Sequence, residues 1–161
     1  MKEAVAWLTK GLASCFYISY LPAYYRRGQR LTGAGLVGTL FGLLTVRWLP
    51  LEQDRVIAVL VGALAVAVAV SDYTEELMGR KDDPRIVIDE WIGYWVSIAF
   101  LPHTPVLLVL GFILFRVFDV WKLPWIRRVG EWPGGWGIVM DDVLSGVLTN
   151  FCLHLIRYAM P

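Results

Sequence analysis

Residues 56–70 read VIAVLVGALAVAVAV, a run with no charged or strongly polar side chain on any side. Its valine content would suit a buried strand, but the run is too long for one strand and is not interrupted by a turn, so the helical reading is favoured. A helix that is apolar all round belongs in a large core or in a bilayer. Composition decides between them: of 161 residues 57% are hydrophobic and only 18% charged, with a mean hydropathy of +0.57. That is too oily for an ordinary soluble domain of this size.

Working outward, five further apolar segments can be drawn, at 4–21, 36–49, 86–101, 106–121 and 138–156. Several fall short of the ~20 residues that a perpendicular span requires. The expectation is therefore an all-α polytopic helical membrane protein of about five to six apolar helices, some short or interfacial, in a single membrane-embedded domain over residues 1–161. Residues 4–21 either cross the membrane or lie on its surface. Lys10 and the aromatic residues around it do not resemble a cleavable signal, so the segment is expected to be retained. Ala34, Gly35, Gly38 and Gly42 put small residues along one helix face, a pattern that permits close helix packing, with contact to a phosphate as the secondary reading.

The net charge of +1 gives no field for a nucleic-acid partner, and none is expected. Local charge is more informative. The connections after the first, third and fifth segments carry Arg26, Arg27 and Arg30, then Arg80, Lys81 and Arg85, then Lys122, Arg127 and Arg128, while the alternate connections hold only Arg55. The positive-inside bias makes the basic connections cytoplasmic and turns both termini outward. Trp121, Trp125, Trp132 and Trp136 gather at the last of these connections, as in an interfacial aromatic belt. Cys15 and Cys152 sit in apolar surroundings and read as reduced thiols.

Three charged clusters interrupt the apolar segments, and this assignment puts all of them at one membrane face. Asp89 and Glu90 open one segment, Arg116, Asp119 and Lys122 close another, and Asp141 and Asp142 open the last. Ionisable groups in apolar segments are functional by default. At ~100° per residue, Arg116, Asp119 and Lys122 share a helix face, either as an ion-pair ladder or as a metal ligand between two phosphate-binding cations. Adjacent acids diverge by the same angle, so one member of each pair is expected at a metal while its neighbour orients water or a second ion. Gly93, a turn beyond Asp89, leaves space on that side of its helix. The residues 133–137, PGGWG, form a permissive turn that could present backbone N–H groups to a phosphate or simply open the helix. Glu75 and Glu76 read as a solvated helix end that could extend the acidic site. Oxygen ligands without nearby His or Cys favour Mg²⁺; His103 and His154 fall away from the clusters.

Together the motifs IVIDEWIG at 86–93, FRVFDVWK at 115–122 and GGWGIVMDD at 134–142 resemble the phosphatidylglycerophosphatase A family of bacterial membrane lipid phosphatases. The resemblance implies Mg²⁺-dependent removal of the terminal phosphate of phosphatidylglycerophosphate to give phosphatidylglycerol, at the cytoplasmic face of the bacterial inner membrane. It implicates Asp89, Glu90, Asp141 and Asp142 in catalysis, the same four with Asp119 as metal ligands, and Arg116 and Lys122 in binding phosphate. The family's small-residue stretch is altered here to LTGAGL at 31–36, and Thr32 is retained as a further phosphate-binding candidate. Spacing leaves open whether water or an aspartate attacks phosphorus, and leaves the oligomeric state open. The alternative from another class is a small cation or proton transporter using the same carboxylates as a relay, which requires acids spread through the membrane depth.

Overall fold

In the computed structural model residues 2–25 and 33–159 are described, and they form α1 (Lys2–Ala13), α2 (Tyr20–Tyr25), α3 (Ala34–Thr45), α4 (Gln53–Met78), α5 (Ile88–Ile98), α6 (Pro105–Val120), α7 (Pro124–Gly130) and α8 (Gly134–Ala159), with a 3-10 turn at Val46–Trp48. The all-α expectation holds among the described residues. The helix count differs from the expected five to six for two reasons. The segment 4–21 is broken between α1 and α2 by a reversal in which Cys15, Phe16 and Tyr17 take positive φ of 47°, 59° and 64°. The short α7, with Pro124 at its first turn, adds a helix inside a connection.

Helix ends follow local chemistry. At its C-terminus α4 meets Gly79, which at φ 62° adopts the left-handed cap and donates its N–H to the Glu75 and Glu76 carbonyls. Thr104 caps α6 by accepting the Leu107 N–H, and Pro105 supplies the preset first turn. The PGGWG turn serves α8 as a cap: Gly134 has φ 61°, and the Gly135 N–H donates to the Asp72 carboxylate of α4 at 3.0 Å. The Gly135 N–H is therefore directed at α4.

At the centre α5 packs against α3, α4, α6 and α8, and α8 also meets α4, α6 and α7. Small residues set these distances. A methyl group on Gly146 would strike the Gly93 carbonyl, and one on Gly93 would come within 2.7 Å of the Phe115 ring and 2.9 Å of the Asp142 carbonyl. The space expected beside Gly93 is thus filled by α6 and α8. Gly38 and Gly42 bring α3 close to Val87, just before α5, and to Trp91 and Tyr94 within it, which bears out the packing role of that stripe. The Trp95 indole donates to the Gly42 carbonyl at 3.1 Å, and the Asn150 amide caps the end of α5 through the Ser97 and Ala99 carbonyls. Tyr94, Phe115, Ile98 and Leu153 are fully buried between these helices.

Among the described residues two helices, α4 and α8, are long and apolar enough to cross a membrane. Their outward faces carry exposed Val61, Val66, Val147, Phe151 and Leu155, the apolar exterior a lipid-facing bundle requires. Trp121, Trp125, Trp132 and Trp136 are all exposed.

Candidate active site

The first turn of α5, the last turn of α6 and the third turn of α8 meet at one end of the bundle, so the three charged motifs converge. Asp89, Glu90 and Asp142 each bring a carboxylate oxygen to a common place, all within 4.8 Å of one another. Asp89 and Glu90 are neighbours on a helix, yet both reach it. The expected divergence of adjacent acids holds instead for the α8 pair. Both acids of this pair reach Lys122, but Asp142 is buried and lines the cavity at this site, whereas Asp141 packs over Gly130 of α7.

Asp119 lies between its two cations, 2.8 Å from Arg116 and 3.2 Å from Lys122, so the ladder is present. Lys122 also reaches Asp141 at 2.6 Å and Asp142 at 2.8 Å. One ammonium thereby serves three carboxylates from two helices. Burial alone would favour its neutral form, but the charges of Asp142, Asp119 and Asp141 outweigh burial and raise its pKa above the ordinary lysine value.

Some oxygens are left without a protein partner: Asp89 Oδ1, Glu90 Oε2, Asp141 Oδ1 and Asp142 Oδ2 are buried and accept no hydrogen bond. Buried carboxylate oxygens ordinarily demand donors or a cation. Three of the four belong to the converging group, whose donor set is entirely oxygen and fits a hard divalent ion. Five acids, Asp89, Glu90, Asp119, Asp141 and Asp142, face two neighbouring cations, Arg116 and Lys122.

The cavity in front of this group has a volume of about 490 Å³ and is lined by Gly33, just before α3, and Gly35 within it, by Asp89, Glu90, Arg116, Asp119, Lys122 and Asp142, and by Arg80 and Asp82 from the α4–α5 connection. Three of these positions, Gly33, Arg80 and Asp82, have no site role from spacing, and Gly35 reads first as packing. Gly35 is required by the site as well as by packing, because a methyl group there would collide with the Glu90 carboxylate and stand 3.1 Å from Arg116 Nη1. Thr39, fully buried one turn later, accepts from Arg116 Nη1 at 3.1 Å and holds the guanidinium at the cavity wall. Its position in the small-residue stripe was the available signal. Thr32 lies outside the described residues, as do Arg26, Arg27 and Arg30. Glu75 accepts from the Asp82 N–H at 3.1 Å and so braces the loop. His103 lies in the connection at the other end of α5, and His154 is exposed late in α8.

The α4–α5 connection is anchored before the site begins. Asp83 accepts a forked pair from the Arg85 side chain at 2.7 and 2.8 Å, the Ser19 hydroxyl donates to the Arg85 carbonyl, and the Val87 N–H donates to the Ala13 carbonyl. Burial would raise the Asp83 pKa, but the hydrogen bonds and charge of Arg85 prevail and hold it below the ordinary carboxylate value. These bonds fix where α5 starts, and hence where Asp89 and Glu90 stand.

Residues 11–157 match the family model of phosphatidylglycerophosphatase A. Phosphatidylglycerophosphatase A of Escherichia coli (strain K12) is 35% identical over 133 residues, 79% of this chain and 76% of that protein. Its namesake from Haemophilus influenzae is 30% identical over 131 residues, 80% of this chain and 79% of that protein. A Bacteroides thetaiotaomicron protein named provisionally as a phosphatidylinositol-3-phosphatase is 32% identical over 83 residues, about half of each chain. No solved structure matches this chain significantly.

Proposed function

This chain belongs to the phosphatidylglycerophosphatase A family, and from that premise we propose that it is a membrane phosphoric monoester hydrolase that removes the terminal phosphate of phosphatidylglycerophosphate, leaving phosphatidylglycerol and inorganic phosphate. The observation that carries the reading is the convergence of Asp89, Glu90 and Asp142 beside Arg116 in one cavity at one end of the bundle.

The residues divide the work. Arg116, held by Thr39 and Asp119, presents its guanidinium to the phosphoryl oxygens and offsets the charge that grows on them in the transition state. Lys122 adds positive charge at the cavity wall while keeping Asp119, Asp141 and Asp142 in register. Arg80, also in the cavity lining, offers a third cation to a substrate that carries two phosphate groups. Asp89, Glu90 and Asp142 are the carboxylates that would hold Mg²⁺, consistent with their unpartnered oxygens. Such an ion supplies Lewis-acid polarisation of the phosphoryl group and lowers the pKa of bound water.

The gathering of the acids at one end of the bundle supports hydrolysis at an interface, where a lipid phosphate resides, and offers no relay through the membrane depth for transport. By the distribution of basic connections, that end faces the cytoplasm of a multi-pass inner-membrane protein. The test is phosphate release from phosphatidylglycerophosphate in detergent, with and without Mg²⁺ and chelator, for wild type and Asp89→Asn. Release that chelator and the substitution both abolish is expected; wild-type protein that releases no phosphate would overturn the reading.

A further inference from the structure

Beside the polar cavity, along the seam of α3 and α6, runs an apolar groove of about 400 Å³. Leu36, Phe112, Ile113 and Val117 form its walls, and Arg116 and Val120 line both the groove and the cavity. Leu36, Ile113 and Val117 are exposed, so the groove opens sideways from the bundle, towards the apolar surroundings that such a surface requires. Polar and apolar compartments that share a wall match an amphiphile with a phosphate at one end and a hydrocarbon chain at the other. Among the described residues Arg116 is the only charged side chain that lines the groove.

We propose that the α3–α6 groove seats one acyl chain of the lipid whose phosphate occupies the cavity, with Arg116 at the junction between headgroup and chain. The inference rests on reading the cavity as a lipid-phosphate site. A chain passing from bilayer to groove exchanges hydrocarbon for hydrocarbon and gains little transfer free energy. The groove therefore acts by orientation: it sets the direction from which the phosphate enters and reduces the conformers to be searched before reaction. Filling it should lower turnover at saturating lipid more than it raises KM.

Two measurements test this. Ile113→Trp fills the groove away from the carboxylates; kcat on long-chain phosphatidylglycerophosphate should fall at least tenfold, while hydrolysis of its deacylated, water-soluble counterpart stays within twofold of wild type. Unchanged lipid turnover would overturn the proposal. Because the variant could lose both activities by misfolding, the wild-type protein is also photolabelled with phosphatidylglycerophosphate carrying a diazirine in its acyl chain, against phosphatidylcholine carrying the same chain. Label concentrated at Leu36, Ile113 and Val117 with the phosphate lipid alone is expected. Label spread equally over Val61, Val147 and Phe151 means only bulk lipid covers the groove, and disulfide formation between Ile113→Cys copies without label there means a second copy covers it; either overturns the proposal. Wild-type protein that releases no phosphate from lipid overturns the underlying reading instead.

Discussion

Lys122 is the residue on which the site's electrostatics turn. It joins the end of α6 to two acids of α8, and breaking a buried pair from one side leaves an uncompensated charge that costs about 3–5 kcal/mol. Lys122→Ala is therefore expected to lower thermal stability in detergent by that order, whereas Asp142→Asn should leave the fold largely intact and reduce phosphate release by ~10²–10³-fold, the scale of losing one preorganised electrostatic partner. Circular dichroism melts beside phosphate assays separate the two. Asp83 makes the pH prediction. Its folded pKa lies below the ordinary value of 3.8, so its contribution to stability is complete above that value and is lost as pH falls through the depressed folded pKa. Asp83→Asn should remove this part of the acid sensitivity, seen as a flatter melting temperature below about pH 4. At this scale the sequence was legible where charge interrupts an oily run, as at Asp89, Asp119 and Asp142. Thr39 and Gly35 escaped because a small residue in an apolar helix looks like packing, and the partners that give them a site role lie on α5 and α6.

At the scale of elements, the α5–α8 crossing sets the position of Asp89 and Glu90 relative to Asp142. Gly146 lies against the Gly93 backbone, which cannot rotate away as a side chain can. Gly146→Ala should separate the helices at a cost of about 1–3 kcal/mol and reduce activity with no charged residue altered; melts and phosphate assays on the one variant check both. The α8 cap is independently testable, since Asp72→Ala removes the acceptor for the Gly135 N–H and should cost about 0.5–2 kcal/mol. Segment positions could be read from hydropathy, but segment ends could not. The run at 56–70 continues as α4 to Met78 because a helix need not stop where its residues become polar. The break after α1 involves Cys15, Phe16 and Tyr17, none of them a residue whose type announces a left-handed turn.

For the whole molecule, hydropathy and charge placement led to an all-helical bundle with its acids at one end, because both signals are local and additive along the chain. Which helices would touch was not local: that α5 is surrounded by α3, α4, α6 and α8 depends on glycines meeting across the interior. The helices differ greatly in reach. With 26 residues each, α4 and α8 rise about 39 Å, whereas the 11 residues of α5 rise only about 17 Å, little more than half of a ~30 Å hydrocarbon core. The carboxylates open this short helix at one end of the bundle, so α5 reaches the opposite face only if the surrounding bilayer is compressed around it. A thick host membrane resists that compression and a thin one does not. Reconstituted in vesicles of increasing host-lipid chain length, the protein should lose turnover as the bilayer thickens at constant substrate, which would make membrane thickness itself a control on how fast the headgroup phosphate is removed.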